Sequence, residues 1–193
     1  MYDYEEYVCK YAGNYKGVRI PEDMMRKIEA HALERVNAKL KEQHHKIDSG
    51  NELKRQITGL MGEAALEILL GIPIIDWTIG DSTNYNNPDI PGYRVGIKTV
   101  EKWKYPVILK KNYYPQIICV RKQLPDTEKT GYVFVCGLAT PEVLNQYQDD
   151  ELILSDALRQ RGVKTGFYKF EYLKPVRTLA DLEPYRIPGN NSK

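Results

Sequence analysis

Cysteine is scarce in this chain of 193 residues: Cys9, Cys119 and Cys136 are the only three, and no two form a CxxC pair. That spacing indicates neither a disulfide framework nor a zinc knuckle. Cys119 and Cys136 sit in apolar, strand-like runs and read as buried reduced thiols. Histidine is equally sparse. His44 and His45 are adjacent and diverge on a helix, and His31 is more than about three turns away, so a His-based zinc enzyme is not indicated. There is no GxxxxGK[ST] phosphate loop, no GxSxG elbow and no GxGxxG fingerprint, which excludes the classes those motifs define but not catalysis in general. No apolar run approaches membrane-spanning length. The start, Met1-Tyr2-Asp3-Tyr4-Glu5-Glu6, is acidic and polar, unlike a signal peptide, so a cytoplasmic protein with no membrane partner is expected. A net charge of +2 is too small to announce a nucleic-acid binder by itself.

What remains fits one globular domain over residues 1–193, with 42% hydrophobic and 28% charged residues. Residues 1–50 read as a helical N-terminal extension. Tyr4, Tyr7, Val8, Tyr11 and Tyr15 form a near-helical stripe, and Pro21-Glu22-Asp23 starts a long helix with acids near the positive end of its dipole. Met25, Ile28, Ala32, Val36 and Leu40 give that helix one apolar face, and Asp48-Ser49-Gly50-Asn51 breaks it. A second helix is predicted from about Glu52 to Leu70, with Gly71 where a helix usually stops. After a polar, Asn-rich loop over 76–92 come strands at Arg94–Val100, Tyr105–Leu109, Gln116–Arg121 and Tyr132–Gly137. Short helices at Pro141–Leu144 and Leu152–Arg161, a last strand at Gly166–Leu173 and a tail element at Leu179–Leu182 complete the reading. The predicted fold class is α/β, a central mixed sheet flanked by helices.

Two stretches carry chemistry. In the first, Asn87-Pro88-Asp89-Ile90 leads into a turn at Pro91-Gly92, and an alternating run from Tyr93 to Val100 places Lys98 nine residues after Asp89. Residues 94, 96, 98 and 100 share one face of such a strand. In the second, Thr58-Gly59-Leu60-Met61-Gly62-Glu63-Ala64-Ala65 puts a glutamate inside an apolar helix, where it is costly to bury unless paired, protonated or bound to metal. Gly59 and Gly62 are poor helix residues and suggest close approach by another backbone or a ligand. Each acid and lysine also has a plain structural reading. Asp89 can cap a turn, Lys98 can snorkel from a sheet edge, and Glu63 can pair with a surface cation.

The order Glu63, Asp89, Lys98 resembles the PD-(D/E)xK nuclease superfamily over roughly residues 52–122. In that superfamily a Gly-x-x-Gly-Glu-x-Ala helix often precedes a Pro-Asp and an Asp or Glu two positions before a Lys. The resemblance implies a restriction-endonuclease-like core, with residues 123–193 completing the sheet and tail. It also implies Mg²⁺ (Mn²⁺ may substitute) as cofactor and DNA as substrate. Glu63, Asp89 and Lys98 take the catalytic positions. Asp89 and Glu63 would hold the metal with the backbone carbonyl of Ile97, and Glu67, one turn from Glu63, is a further candidate ligand. The departure is Gly96, which stands where the motif has a carboxylate. A displaced carboxylate from Glu63, Glu67, Glu101 or Asp81, a degenerate site that keeps DNA binding, and an accidental match are the competing explanations.

Local charge supports the same expectation. Lys98, Lys102, Lys104, Lys110 and Lys111 fall within fourteen residues. Lys102, Lys104, Lys110 and Lys111, with Arg55 and Gln56 on the helix before Glu63, are the expected DNA contacts. The alternative for the lysine cluster is a solvated face that serves solubility. The sequence thus predicts a metal-dependent deoxyribonuclease, endo- or exonucleolytic. Its rival is a catalytically degenerate module of the same fold that binds DNA or protein. Cleavage of both strands would favour a homodimer.

Overall fold

The computed structural model describes residues 15–41, 49–79 and 88–189. Tyr4, Tyr7, Val8, Cys9, Tyr11, His44, His45, Asp48 and Asp81 lie outside the described residues, as do residues 80–87 of the Asn-rich loop. Strand β1 (Lys16–Ile20) comes first, within the stretch expected to be helical. Only Val18 and Ile20 of its five residues are buried, too short a pattern to announce a strand without its partner β5. The carbonyl of Pro21 then receives the Met25 N–H at 2.9 Å and opens α1 (Glu22–Lys41). Met25, Ile28, Ala32 and Val36 are buried along one face of α1, as their spacing predicts.

Helix α2 (Ser49–Leu70) starts three residues earlier than expected, because Ser49-Gly50-Asn51 is part of its first turn rather than a break. It stops where the sequence indicates: Gly71 has φ 69° and donates to the Glu67 carbonyl at 2.9 Å. Strands β2 (Gly96–Glu101), β3 (Val107–Leu109), β4 (Gln116–Arg121) and β5 (Gly131–Ala139) follow. Helix α3 (Pro141–Gln146), strand β6 (Gln148–Asp149), helix α4 (Asp156–Gln160) and strand β7 (Lys164–Phe167) come next. The expected strand over 166–173 ends at Phe167. The chain turns there into a 3₁₀ element at Phe170–Tyr172, which lets Phe167 and Phe170 bury together.

β1, β5, β4 and β2 form a mixed four-stranded sheet in that order, with β2 at the edge and parallel to β4, and with β5 antiparallel to both neighbours. β3, β7 and β6 form a small antiparallel sheet. The large sheet is buried on both faces, and alternate residues of β4 show this. Ile117 and Cys119 join Ile28, Leu60, Ala64 and other residues under α1 and α2. Ile118 and Val120 pack with Ile108, Phe134, Phe167 and Phe170 on the side of the small sheet. Burial on both faces is why β4 reads as a continuous apolar run. The architecture is a mixed α/β one, helices on one face and a second sheet on the other.

Candidate functional site

Edge strand β2 organises the site. The Ile97 N–H donates to Asp89 Oδ2 at 2.5 Å, and the Asp89 N–H donates to the Val95 carbonyl at 3.1 Å. The turn between them passes through Gly92 at φ 80°. Because the N–H and C=O of one strand residue point to the same side, the Ile97 carbonyl faces the open edge with Asp89. The C-terminal segment straps this turn in place. Arg94 N–H donates to the Tyr185 carbonyl at 2.8 Å and Ile187 N–H to that of Gly92 at 2.9 Å. Burial raises the Asp89 carboxyl above its ordinary range, against the opposing pull of the Ile97 N–H and the Lys98 charge. Asp89 is exposed as a residue; its carboxyl is turned in against the strand.

Helix α2 crosses the face of β2 that carries Ile97, Thr99 and Glu101, and it does so closely. A Cβ on Gly62 would lie 1.7 Å from Thr99 Oγ1, which gives this glycine the close approach its helical position suggested. Gly59 has nothing within 4 Å of such a Cβ, so no packing contact accounts for it. Glu63 follows Gly62 directly. Its carboxyl is pushed up to about 7, first by burial and then by the negative charge of Asp89, with Arg35 opposing and Asp76 and Glu67 adding smaller repulsions. Arg35 is held by a hydrogen bond to the Asp76 carbonyl at 2.8 Å. The charge of Asp89 thus acts on Glu63, and that of Lys98 acts on Asp89. Lys98 leaves β2 on the face opposite α2, so Asp89 stands at the edge between the two.

Other sequence-predicted residues have local partners. Glu67 Oε2 accepts from the N–H groups of Ile74 and Ile75 at 2.9 and 3.2 Å and holds the chain that follows α2. Arg55 and Gln56 both serve the buried Glu52, the first as an ion pair and the second as a donor at 3.0 Å. Lys104 shares Glu101 with Lys54, at 2.6 and 2.8 Å, and Lys110 pairs with Asp150 at 2.5 Å. Lys102 and Lys111 lie over the rings of Trp103 and Tyr113. The run of lysines in sequence is thus divided between the end of β2 and the small sheet.

Three residues that sequence reasoning passed over belong to this region. Lys164, at the start of β7, pairs in register with Leu109. Desolvation lowers its ammonium first, and then Lys98, Arg55 and Arg161, all close enough to repel it. Among the described residues neither Lys164 nor Arg161 has an ion-pair partner. The third is Gln116. It stands opposite Gly96 in the parallel register, so its side chain rises on the Lys98 face, and it is 5% exposed. A Cβ on Gly96 would lie 2.2 Å from Gln116 Oε1, an oxygen that is buried without a hydrogen-bond partner. Only pairing of distant strands brings Gln116 here, and no local signal could have found it.

Among the described residues no group of three His, Cys, Asp or Glu side chains is arranged to hold a metal ion. The available donors are two carboxylates and neutral oxygens. No family model matches the chain, and no curated protein or solved structure matches it. Among the described residues no helix is long and apolar enough to cross a membrane.

Proposed function

We propose that this chain is a Mg²⁺-dependent deoxyribonuclease with a restriction-endonuclease-like core and its reactive centre at the edge of β2. The observation that carries the reading is the position of Asp89, fixed by the Ile97 N–H with Glu63 on one side and Lys98 on the other. Burial, and after it the repulsion of Asp89, raises Glu63 to about 7, a cost that a divalent cation would relieve, and hard oxygen donors suit Mg²⁺. Asp89, Glu63 and the outward Ile97 carbonyl would hold it. Bound there, Mg²⁺ supplies charge relief at the phosphate and a water of lowered pKa.

The chain's own groups do the rest. Asp89 keeps one oxygen on the Ile97 N–H, which fixes the direction of the other. Lys98 extends from the same strand to the scissile phosphate or the attacking water. Lys164, Arg161 and Arg55 add positive charge on the Lys98 side, where a nucleic-acid backbone would lie. Duplex cleavage on both strands would use two copies of the chain.

A second reading, a degenerate module that binds DNA without cutting it, is favoured by Gly96 and by the lack of a third carboxylate among the described residues. End-labelled DNA incubated with Mg²⁺ or with EDTA separates them. Metal-dependent fragments that disappear in Asp89→Asn support the nuclease. DNA retention without fragments, and without Mg²⁺ binding by calorimetry, supports the module.

A further inference from the structure

The turn that ends β2 carries a tryptophan with no part in the site described above. Glu101, Lys102, Trp103 and Lys104 form this turn, and the Lys104 N–H donates to the Glu101 carbonyl at 3.1 Å. Trp103 takes its third position at φ 72°, and among the described residues it is the one non-glycine with a positive φ. Glycine or asparagine adopts that conformation readily, whereas a bulky side chain does so under strain. Packing does not account for the choice. Trp103 is 42% exposed and belongs to neither of the two buried cores. Strain kept at an exposed residue, with no core contact to offset it, marks a position where the side chain itself is used.

The surroundings indicate what the ring meets. Glu101 accepts both Lys54 and Lys104, at 2.8 and 2.6 Å, which ties the turn to α2. The Lys102 N–H donates to the Arg121 carbonyl at 3.3 Å and ties it to β4. Lys102 Nζ lies 5.1 Å from the centre of the Trp103 ring. Three lysines against one glutamate leave positive charge beside an exposed aromatic ring, the pairing that holds a single-stranded nucleic acid by its phosphates and its bases. Glu101 is about 10 Å along β2 from Lys98, so the ring stands a few nucleotides from the candidate centre. We propose that Trp103 is a stacking site for an unpaired DNA base, with Lys102 beside it for the adjoining phosphate. The proposal rests on the nucleic-acid reading above and narrows it to substrates with unpaired bases: single strands, frayed ends or branches. A fully paired duplex offers the ring no base without disrupting its own stack.

The test measures DNA binding by the full chain in EDTA, with circular dichroism to confirm folding of each variant. In fluorescence anisotropy with labelled single-stranded oligothymidylate, Trp103→Ala is expected to weaken binding about tenfold and Trp103→Phe by less. The slope of log affinity against log salt should stay as in wild type, because stacking releases no counterions. A blunt duplex of equal length should lose less than about twofold in Trp103→Ala. Trp103→Gly, which suits φ 72°, should weaken binding as Trp103→Ala does while melting no lower than wild type. Separately, the chain has two tryptophans, Trp77 and Trp103, so Trp77→Phe leaves Trp103 as the only indole. Oligothymidylate should quench its emission saturably and leave that of Trp103→Phe, which reports Trp77, unchanged. Should Trp77→Phe fail to fold, the affinity series decides alone.

Oligothymidylate affinity within about twofold of wild type in Trp103→Ala, or Trp103 emission unmoved at saturating oligothymidylate, overturns the proposal. So does a wild-type chain that binds the duplex and not the single strand, while one that binds neither rejects the nuclease as well. A Trp103→Gly protein that melts well below wild type would make the ring a packing element and overturn the proposal too. Cleavage in Mg²⁺ is scored apart from binding. Metal-dependent cutting with no effect of Trp103 on binding rejects the stacking site and leaves the nuclease standing. Quenching and the tenfold loss without any cutting keep the stacking site and reject the nuclease.

Discussion

The two sides of strand β2 differ in the sign of their charge and in how that charge is held. On the helix side lies Glu63, raised first by burial and then by the charge of Asp89, with Arg35 opposing the rise. On the side of the small sheet, Lys98 lies near Lys164, which also feels Arg55 and Arg161. At the end of β2 opposite charges meet and settle in pairs, as Lys104 and Lys54 do on Glu101. Around Asp89 they remain apart, with Glu63 on the helix side and Lys98 on the other. Such segregation costs folding free energy, and it suits a ligand that carries both signs, such as a cation bound to a phosphodiester.

Removing either side from the middle should give the largest effect. Asp89→Asn and Lys98→Ala are each expected to lower cleavage by about 10²–10⁴-fold while leaving the fold intact, measured as initial rates on labelled DNA at saturating Mg²⁺. Wild-type rates in both variants would place the chemistry elsewhere.

The acid side has a signature without DNA. Glu63 is protonated more readily in the folded chain than in the unfolded one, so its proton stabilises the fold. Below about pH 4.5 both states carry that proton and the stabilisation is fully present. As pH rises from there to about 7, the unfolded chain ionises first and stability falls, by at most about 3 kcal/mol given that Glu63 is only half-buried. Glu63→Gln should remove that slope in urea titrations between pH 4.5 and 7.5 and be the more stable protein at the upper end. Added Mg²⁺ should narrow the gap. A wild-type slope equal to that of the variant would mean that the Glu63 carboxyl is not raised in the folded chain.

Much of this contrast was invisible in the linear sequence. The end of α2 at Gly71 and the buried face of α1 were legible, because capping and helical periodicity are local. Glu63, Asp89 and Lys98 were likewise singled out by their order and by the cost of burying an acid. The edge position of β2 was not legible, since it depends on which strands pair. For the same reason Gln116 went unnoticed over Gly96, and Lys164 went unnoticed beside Lys98. The strap from Tyr185 and Ile187 to the Asp89 turn joins segments that no local pattern connects.

The basic side gives a smaller, salt-dependent effect. Lys164→Met/Arg161→Met should weaken DNA binding about tenfold and reduce the slope of log affinity against log salt by roughly 1–2. Replacing Lys102, Lys104, Lys110 and Lys111 together should also reduce the slope, but by less per charge, since Lys104 and Lys110 are already paired with acids. Fluorescence anisotropy over a salt series measures both, and a larger loss per charge in the fourfold variant would reverse the assignment. Smallest of all, Glu67→Gln should cost about 1 kcal/mol of stability by weakening the bonds to Ile74 and Ile75. It should leave Mn²⁺ affinity nearly unchanged, and a tenfold loss in calorimetry would restore Glu67 to the ligand set.

Gly62 sets a clearance. The gap between α2 and β2 has no room for even one methyl group at Thr99, whose Oγ1 and Cβ would lie 1.7 and 2.9 Å from an added Cβ. A short β-branched side chain such as threonine cannot swing aside as a lysine tip can, so the helix itself must lift. Glu63, the next residue, would be carried away from the strand edge with it. In a saturation scan scored by activity, position 62 should consequently tolerate as little as Asp89, though it meets neither metal nor nucleic acid. A map of intolerant positions would outline the spacer together with the site it sizes.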